Sequence, residues 1–125
     1  MQNIKECILN SYAFELEVTD AWQFPANYKI FKENSNIEVK PTDFICVYTE
    51  DEYKEFINKI EEIEIDKWNG EYISREAVDK KDSLTWKLII YYGEGKKIIK
   101  RGLNDMPENF GDLEEFLISI TEEAV

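Results

Sequence analysis

The sequence predicts an α+β fold: a two-layer sandwich in which two helices cover one face of a mostly antiparallel sheet of about five to seven strands. Two segments, in the middle and at the end of the chain, repeat apolar residues at helical spacing, which indicates amphipathic helices. Several shorter segments alternate apolar and polar residues, which indicates strands. Because 43% of the 125 residues are hydrophobic, residues 1–125 are predicted to build one core as a single globular domain.

Four strands are predicted in the first half of the chain. Residues 12–18 alternate large apolar side chains with small or acidic ones, as in a half-buried strand with one solvated face. Residues 28–32 and 37–40 are predicted to be two short strands joined by a turn at 34–36. Residues 44–48 are apolar on both sides, so this strand is expected at the centre of the sheet.

The first helix is predicted over residues 50–63. Thr49 and Glu52 form the Thr-x-x-Glu pattern of a capping box, in which each side chain hydrogen-bonds the backbone amide of the other residue. Acids in the first turn favour the helix because they lie near the positive end of its dipole. The apolar stripe that should face the core consists of Tyr53, Phe56, Ile57, Ile60 and Ile63.

The segment after this helix is irregular until residue 84. A turn is predicted at 68–70, a short strand at 72–75 and a solvated loop at 79–82. Beyond the hairpin described next, a loop at 104–111 leads into the second helix, over 111–123. Its apolar residues lie on one stripe and its acids lie outside that stripe.

The clearest strand signal is a hairpin over residues 84–101. Apolar residues alternate along its first strand, and Trp86 is expected to be substantially buried there. Gly93 and Gly95 flank a single residue and can adopt the positive φ angles that a tight hairpin turn requires.

A recognisable series of residues runs through the C-terminal half. It reads Trp68-Asn69-Gly70, then Asp82-Ser83-x-Thr85-Trp86-x-Leu88-x-Ile90-x-Tyr92-Gly93-x-Gly95, then Gly102-x-Asn104-x-x-Pro107-x-x-Phe110. The series resembles a loosely defined group of small uncharacterised bacterial proteins. In that group an aspartate and a tryptophan open a strand–turn–strand, and a Gly-x-Asn-x-x-Pro segment leads into a final helix. The resemblance implies a fold for this half and assigns no activity or site residue.

The conspicuous residues of this series also have structural interpretations. Gly102 and Asn104 tolerate left-handed backbone geometry. Pro107 orders the approach to the last helix, and Phe110 can pack against its first turn.

The composition excludes several kinds of catalytic chemistry. The chain has no histidine, so it has no Ser-His or Cys-His pair and no histidine ligand for a metal. It also lacks a phosphate loop, a dinucleotide fingerprint and a Cys-x-x-Cys motif. Of its two cysteines, Cys46 is predicted to be a buried thiol, and Cys7 has only Lys5 nearby to activate it. We therefore expect no enzyme, no cofactor and no metal site.

The sequence also predicts a cytoplasmic protein. The first eleven residues contain charges and lack the continuous apolar run of a signal peptide. No apolar stretch in the chain is long enough to span a bilayer.

Charge is unevenly distributed along the chain. The net charge is −12, yet residues 84–102 contain five bases and one acid, a net charge of +4, which leaves −16 for the rest. Such an acidic protein is not expected to bind nucleic acid or membranes. The hairpin lysines could protect a sheet edge from aggregation. Alternatively, the acidic surface could dock a basic protein, as an immunity or inhibitor protein covers the cationic site of a toxin.

The residues of a possible binding surface follow from these two interpretations. The acidic candidates are Glu61 and Glu62 on the first helix, and the basic candidates are Lys96, Lys97, Lys100 and Arg101. The alternative function is a small-molecule or peptide sensor with an aromatic cleft near Trp22, Phe24 and Trp68. The oligomeric state is left open.

Overall fold

A computed structural model describes residues 3–20, 26–73 and 84–123. Within these ranges the strands are β1 (Ser11–Asp20), β2 (Ala26–Lys32), β3 (Phe44–Tyr48), β4 (Glu71–Ile73), β5 (Leu84–Tyr92) and β6 (Lys96–Leu103). The helices are α1 (Ile4–Leu9), α2 (Glu50–Ile63) and α3 (Phe110–Glu123), and a single 3-10 turn spans Ile65–Lys67.

The six strands form one mixed sheet in the order β3-β2-β1-β5-β6-β4. β1 pairs antiparallel with β2 and β5, and β5 pairs antiparallel with β6. The outer strands β3 and β4 pair in parallel with β2 and β6. The predicted α+β class is confirmed, with helices packed on a sheet.

The helices pack against one face of the sheet because each has a single apolar stripe. Phe56 and Ile60 of α2 and Leu117 of α3 are among the most buried residues, and they pack with Leu16 and Leu88 of the sheet. We call the opposite side of the sheet the far face. One face of the sheet thus builds the core, and the far face remains available for other contacts.

The predicted start of α2 is confirmed. The backbone amide of Glu52 donates to Thr49 Oγ1 at 3.3 Å, and the amide of Thr49 donates to Glu52 Oε1 at 2.9 Å. This reciprocal pair satisfies two amides that would otherwise lack partners at the helix end.

The predicted hairpin is also confirmed, and Gly93 and Gly95 have φ angles of 57° and 70°. Trp86 is 2% exposed. Gly102 lies directly opposite Trp86 and continues β6 as an ordinary strand residue, without the left-handed geometry expected of it. Asn104 does have a positive φ of 54°, and its Oδ1 accepts a hydrogen bond from the amide of Leu84 at 2.7 Å.

Three predictions about the first half are wrong. Residues 37–40 form no strand, because the chain between β2 and β3 crosses the far face as a loop. β3 lies at the edge of the sheet, where Phe44 and Val47 are 49% and 53% exposed. The supposedly solvated side of β1 is buried at Glu15, because β1 is central and that loop packs nearby.

One helix was not predicted from the sequence, and two predicted segments fall wholly or partly outside the described residues. The short helix α1 was not predicted; Asn3 caps its N-terminus, and the Asn3 side chain accepts a hydrogen bond from the amide of Lys5. Residues 79–82 and the end of the predicted strand 72–75 lie outside the described residues. Cys7 and Cys46 form no disulfide, and both are buried, as predicted for Cys46. None of the described helices has the length and apolarity needed to cross a bilayer.

Candidate functional site

The outer sides of α2 and α3 form a strongly acidic surface, which we call the acidic helix face. α2 contains six acids and two lysines, and α3 contains five acids and no base, which gives the two helices a net charge of −9. The predicted residues Glu61 and Glu62 belong to this surface. Glu62 is exposed, with its carboxylate 3.7 Å from Lys59 Nζ, and Glu61 is half-buried. Acids of both helices thus share one side of the protein.

A groove lined by aromatic and charged side chains runs between the two helices within this surface. The half-buried ring of Phe116 stacks on Phe56, with ring centroids 5.6 Å apart and planes inclined by 17°. The groove has a volume of about 490 Å³, and its charged lining residues are Glu52, Glu55 and Lys59. An apolar centre with a charged rim is the usual composition of a protein–protein contact.

The four basic candidates of the hairpin do not form one patch. Alternation along β6 places Lys97 and Arg101 on the far face and Lys96 and Lys100 on the helix side. Lys100 is 3% exposed, and its Nζ donates to the backbone carbonyl of Trp68. Burial lowers the pKa of Lys100, although the negative charge of Asp66 opposes this shift.

The other hairpin cations lie at the surface. Arg101 donates to Glu71 Oε1 at 2.8 Å, and Lys96 and Lys97 are exposed. In the part of the chain that the structure describes, β4 pairs with residues 101–103 of β6 and with no earlier residue of that strand. The two exposed lysines therefore lie on the part of β6 that β4 does not cover, which agrees with the interpretation of edge protection.

Trp68 lies in the core rather than in a surface cleft. Its side chain is 7% exposed, its ring lies edge-on to Trp86 at 6.0 Å, and its Nε1 donates to Asn109 Oδ1 at 2.9 Å. Trp22 and Phe24, the other members of the predicted aromatic cleft, lie outside the described residues.

The far face contains a cleft that the sequence did not predict, which we call the sheet cleft. It lies between residues 36–40 and the strands β1, β5 and β6, and it has a volume of about 490 Å³. Glu15 and Ile89 form its floor, and both are buried. Tyr12 and Tyr91 lie together at one end, with ring centroids 6.3 Å apart.

A buried ionic cluster holds the loop between β2 and β3 against this floor. Lys29 Nζ lies 2.9 Å from Asp43 Oδ2 and 3.7 Å from Glu15 Oε1, and it donates to the carbonyl of Glu38 at 2.7 Å. Lys29 is 5% exposed, so this cation has been removed from water and needs these partners. The cluster connects three segments of the chain that the sequence keeps far apart.

The cluster shifts the pKa values of its members in opposite directions. Burial by itself would lower the pKa of Lys29, but the hydrogen bond to Asp43 and the charges of Glu15 and Asp43 outweigh it and raise the pKa. Burial would raise the pKa of Asp43, but the amide of Lys40, the ammonium of Lys29 and the amide of Asn27 outweigh it and lower the pKa. Both groups therefore stay charged at neutral pH.

Tyr91 extends the cluster into the cleft. Its hydroxyl donates to Glu15 Oε2 at 3.0 Å. Burial, together with the negative charge of Glu15, raises the pKa of Tyr91, so the phenol keeps its proton. The pairing of Glu15 with Lys29 on adjacent strands could have been found by aligning the two strands, since they are directly opposite in the register.

The described residues contain no group of three cysteine, aspartate or glutamate side chains close enough to hold a metal ion. Comparisons of the chain with family models, curated proteins and solved structures find no match.

Proposed function

We propose that the protein is a non-catalytic binding module whose acidic helix face docks a basic partner protein, in the manner of an immunity or inhibitor protein. The observation that supports this most is the net charge of −9 on α2 and α3, which present their outer sides together. The resemblance of the C-terminal half to small bacterial proteins is consistent with a bacterial origin but assigns no activity. A cytoplasmic location, without nucleic acid, membrane or cofactor, is part of the same proposal.

The physical consequence of such a surface is rapid, salt-dependent association. A strong field of one sign steers an oppositely charged partner toward the surface and increases the association rate. The ring of Phe116 in the groove would then supply the desolvated contact that limits dissociation. In this proposal the charge of the surface sets the association rate, and the contact in the groove sets the dissociation rate.

The alternative function, an aromatic sensor near Trp22, Phe24 and Trp68, has less support. The indole of Trp68 already packs against Trp86 and donates its hydrogen bond to Asn109 in the core. A ligand could reach it only after the core had opened.

The test is a pull-down from native lysate at low and high salt, with two double variants for comparison. Glu115→Gln with Glu122→Gln removes two exposed charges from the acidic helix face, and Glu6→Gln with Glu94→Gln removes two exposed charges elsewhere. A basic polypeptide should be retained at low salt and released at about 0.5 M, where the Debye length is about 4 Å. The first double variant should lose most of it, and the second should retain it. Equal retention by both variants, or no basic partner at either salt, would contradict the proposal.

A further inference from the structure

The sheet cleft has the size of a small-molecule site, and it lies on the opposite side of the sheet from the acidic helix face. Its volume of about 490 Å³ falls within the range of ligand pockets. Its floor is formed by strands of the sheet, and the ionic cluster holds its wall, so the cleft is preformed.

The buried hydrogen-bond donors of the cleft, Lys29 and Tyr91, are already paired within the protein. The ammonium group of Lys29 lies within hydrogen-bond distance of Asp43 Oδ2 and the carbonyl of Glu38, and it forms a longer ion pair with Glu15. The hydroxyl of Tyr91 donates to Glu15. An anionic ligand would therefore find no free buried cation here.

Acceptors, in contrast, remain available. Among the described residues the half-buried carboxylate of Glu17 has neither a hydrogen bond nor an ion pair within 4 Å. Glu15 Oε1 is 3.7 Å from Lys29 Nζ, beyond hydrogen-bond distance. Asn27 Oδ1 is buried at the wall without a donor. A buried acceptor of this kind indicates a missing donor.

The charges and the aromatic rings of the cleft both favour a cationic ligand. The lining contains three carboxylates and three ammonium groups, but the buried ammonium of Lys29 is already paired with Asp43 and Glu15 and does not pair with Glu17. The rings of Tyr12 and Tyr91 flank one end of the cleft. Aromatic faces attract cations, and more so where water is excluded.

We infer that the sheet cleft binds a small organic cation with N–H donors, an alkylammonium or guanidinium group. The cation would pair with Glu17 and lie near the rings of Tyr12 and Tyr91. Lys40 and Lys97 are exposed lining residues of the cleft. Their positive charges would repel the basic surface of a large partner, whereas a slender ligand would still be admitted. This site is independent of the proposed docking surface.

The test is an NMR titration of the intact protein with agmatine and putrescine, and with glutarate as the anionic control. Both cations should shift the amides of residues 12, 17 and 89–91, and glutarate should shift none of them. Titration with N-acetyl-arginine amide distinguishes the source of the cation, because equal or tighter binding would identify an arginine side chain as the natural ligand. No shift at ~10 mM, which populates even weak sites, or preferential binding of glutarate would overturn the inference.

Variants separate binding from folding. Glu17→Gln keeps the shape of the side chain and should weaken agmatine binding about tenfold or more, because a charge-assisted hydrogen bond is lost. Glu6→Gln removes the same charge from an exposed residue of α1 that does not line the cleft, and it should leave the affinity unchanged. If Glu17→Gln perturbs the fold, Tyr12→Leu tests the aromatic wall and should also weaken binding. Equal affinity in wild type, Glu17→Gln and Tyr12→Leu would refute the assignment.

Discussion

Trp86 and Gly102 lie directly opposite each other on β5 and β6, and the indole occupies the space where a side chain at Gly102 would be. A Cβ at Gly102 would lie 2.1 Å from Trp86 Nε1 and 2.4 Å from the carbonyl of Asp105. That carbonyl accepts the indole hydrogen bond at 2.8 Å. Glycine is needed at this position because of close approach, and its backbone angles are ordinary.

Gly102→Ala should therefore destabilise the protein by at least about 2 kcal/mol, since the methyl group displaces the indole and breaks its hydrogen bond. Gly111→Ala is the matched control, because nothing lies within 4 Å of a Cβ there and alanine favours helix. The free energy of unfolding in urea measures both. Equal stability of the two variants would contradict this packing.

Asp43→Asn should lower the free energy of unfolding at neutral pH by about 3 kcal/mol, because it leaves Lys29 buried beside a neutral amide. The pKa of Asp43 is lower in the folded protein than its value of about 3.9 in an unfolded chain. Its stabilisation is therefore present above about pH 4 and is lost as the pH falls toward the folded-state pKa.

The measurement is the free energy of unfolding as a function of pH between neutrality and acid. The wild type should lose stability as the pH falls through this window, and Asp43→Asn should show a flatter curve. Glu94→Gln, which neutralises an exposed carboxylate, should follow the wild type. A steep acid dependence that persists unchanged in Asp43→Asn would argue against the buried pair.

Thr49→Ala should cost about 1 kcal/mol, because the amide of Glu52 loses its acceptor at the start of α2. Thr49→Ser keeps the hydroxyl and should be close to the wild type. Thermal unfolding followed by circular dichroism at 222 nm compares the three proteins. A Thr49→Ser variant as unstable as Thr49→Ala would assign the effect to the methyl group instead of the cap.

Leu117→Ala should cost about 2–5 kcal/mol, because this side chain of α3 is fully buried between the helices and the sheet. Leu9→Ala removes the same atoms from a residue that is 49% exposed and should cost well under half as much. Denaturant midpoints of the two variants provide the comparison. Similar midpoints would mean that α3 does not pack as described.

Local patterns in the sequence determined α2 and the hairpin, whereas they did not predict α1 and wrongly predicted a strand at 37–40. The apolar stripe and capping box of α2 lie within a few residues of one another, and so do Gly93 and Gly95 in the hairpin turn. The physical causes of these elements are local, so they can be read from short segments. The burial of Trp86 followed from alternation alone.

The tertiary structure decided which segments became neighbours. The apolar segment 44–48 could equally have been a central strand, and only the strand order placed it at the edge. Glu15 and Lys29 had the pattern of solvated strand residues, yet the loop that ends at Asp43 covers them and converts surface charges into a buried cluster. The sheet cleft exists because of that loop, and its parts are distant in sequence. The periodicity of a strand shows which of its sides is apolar. Which segment packs against the other side depends on long-range packing.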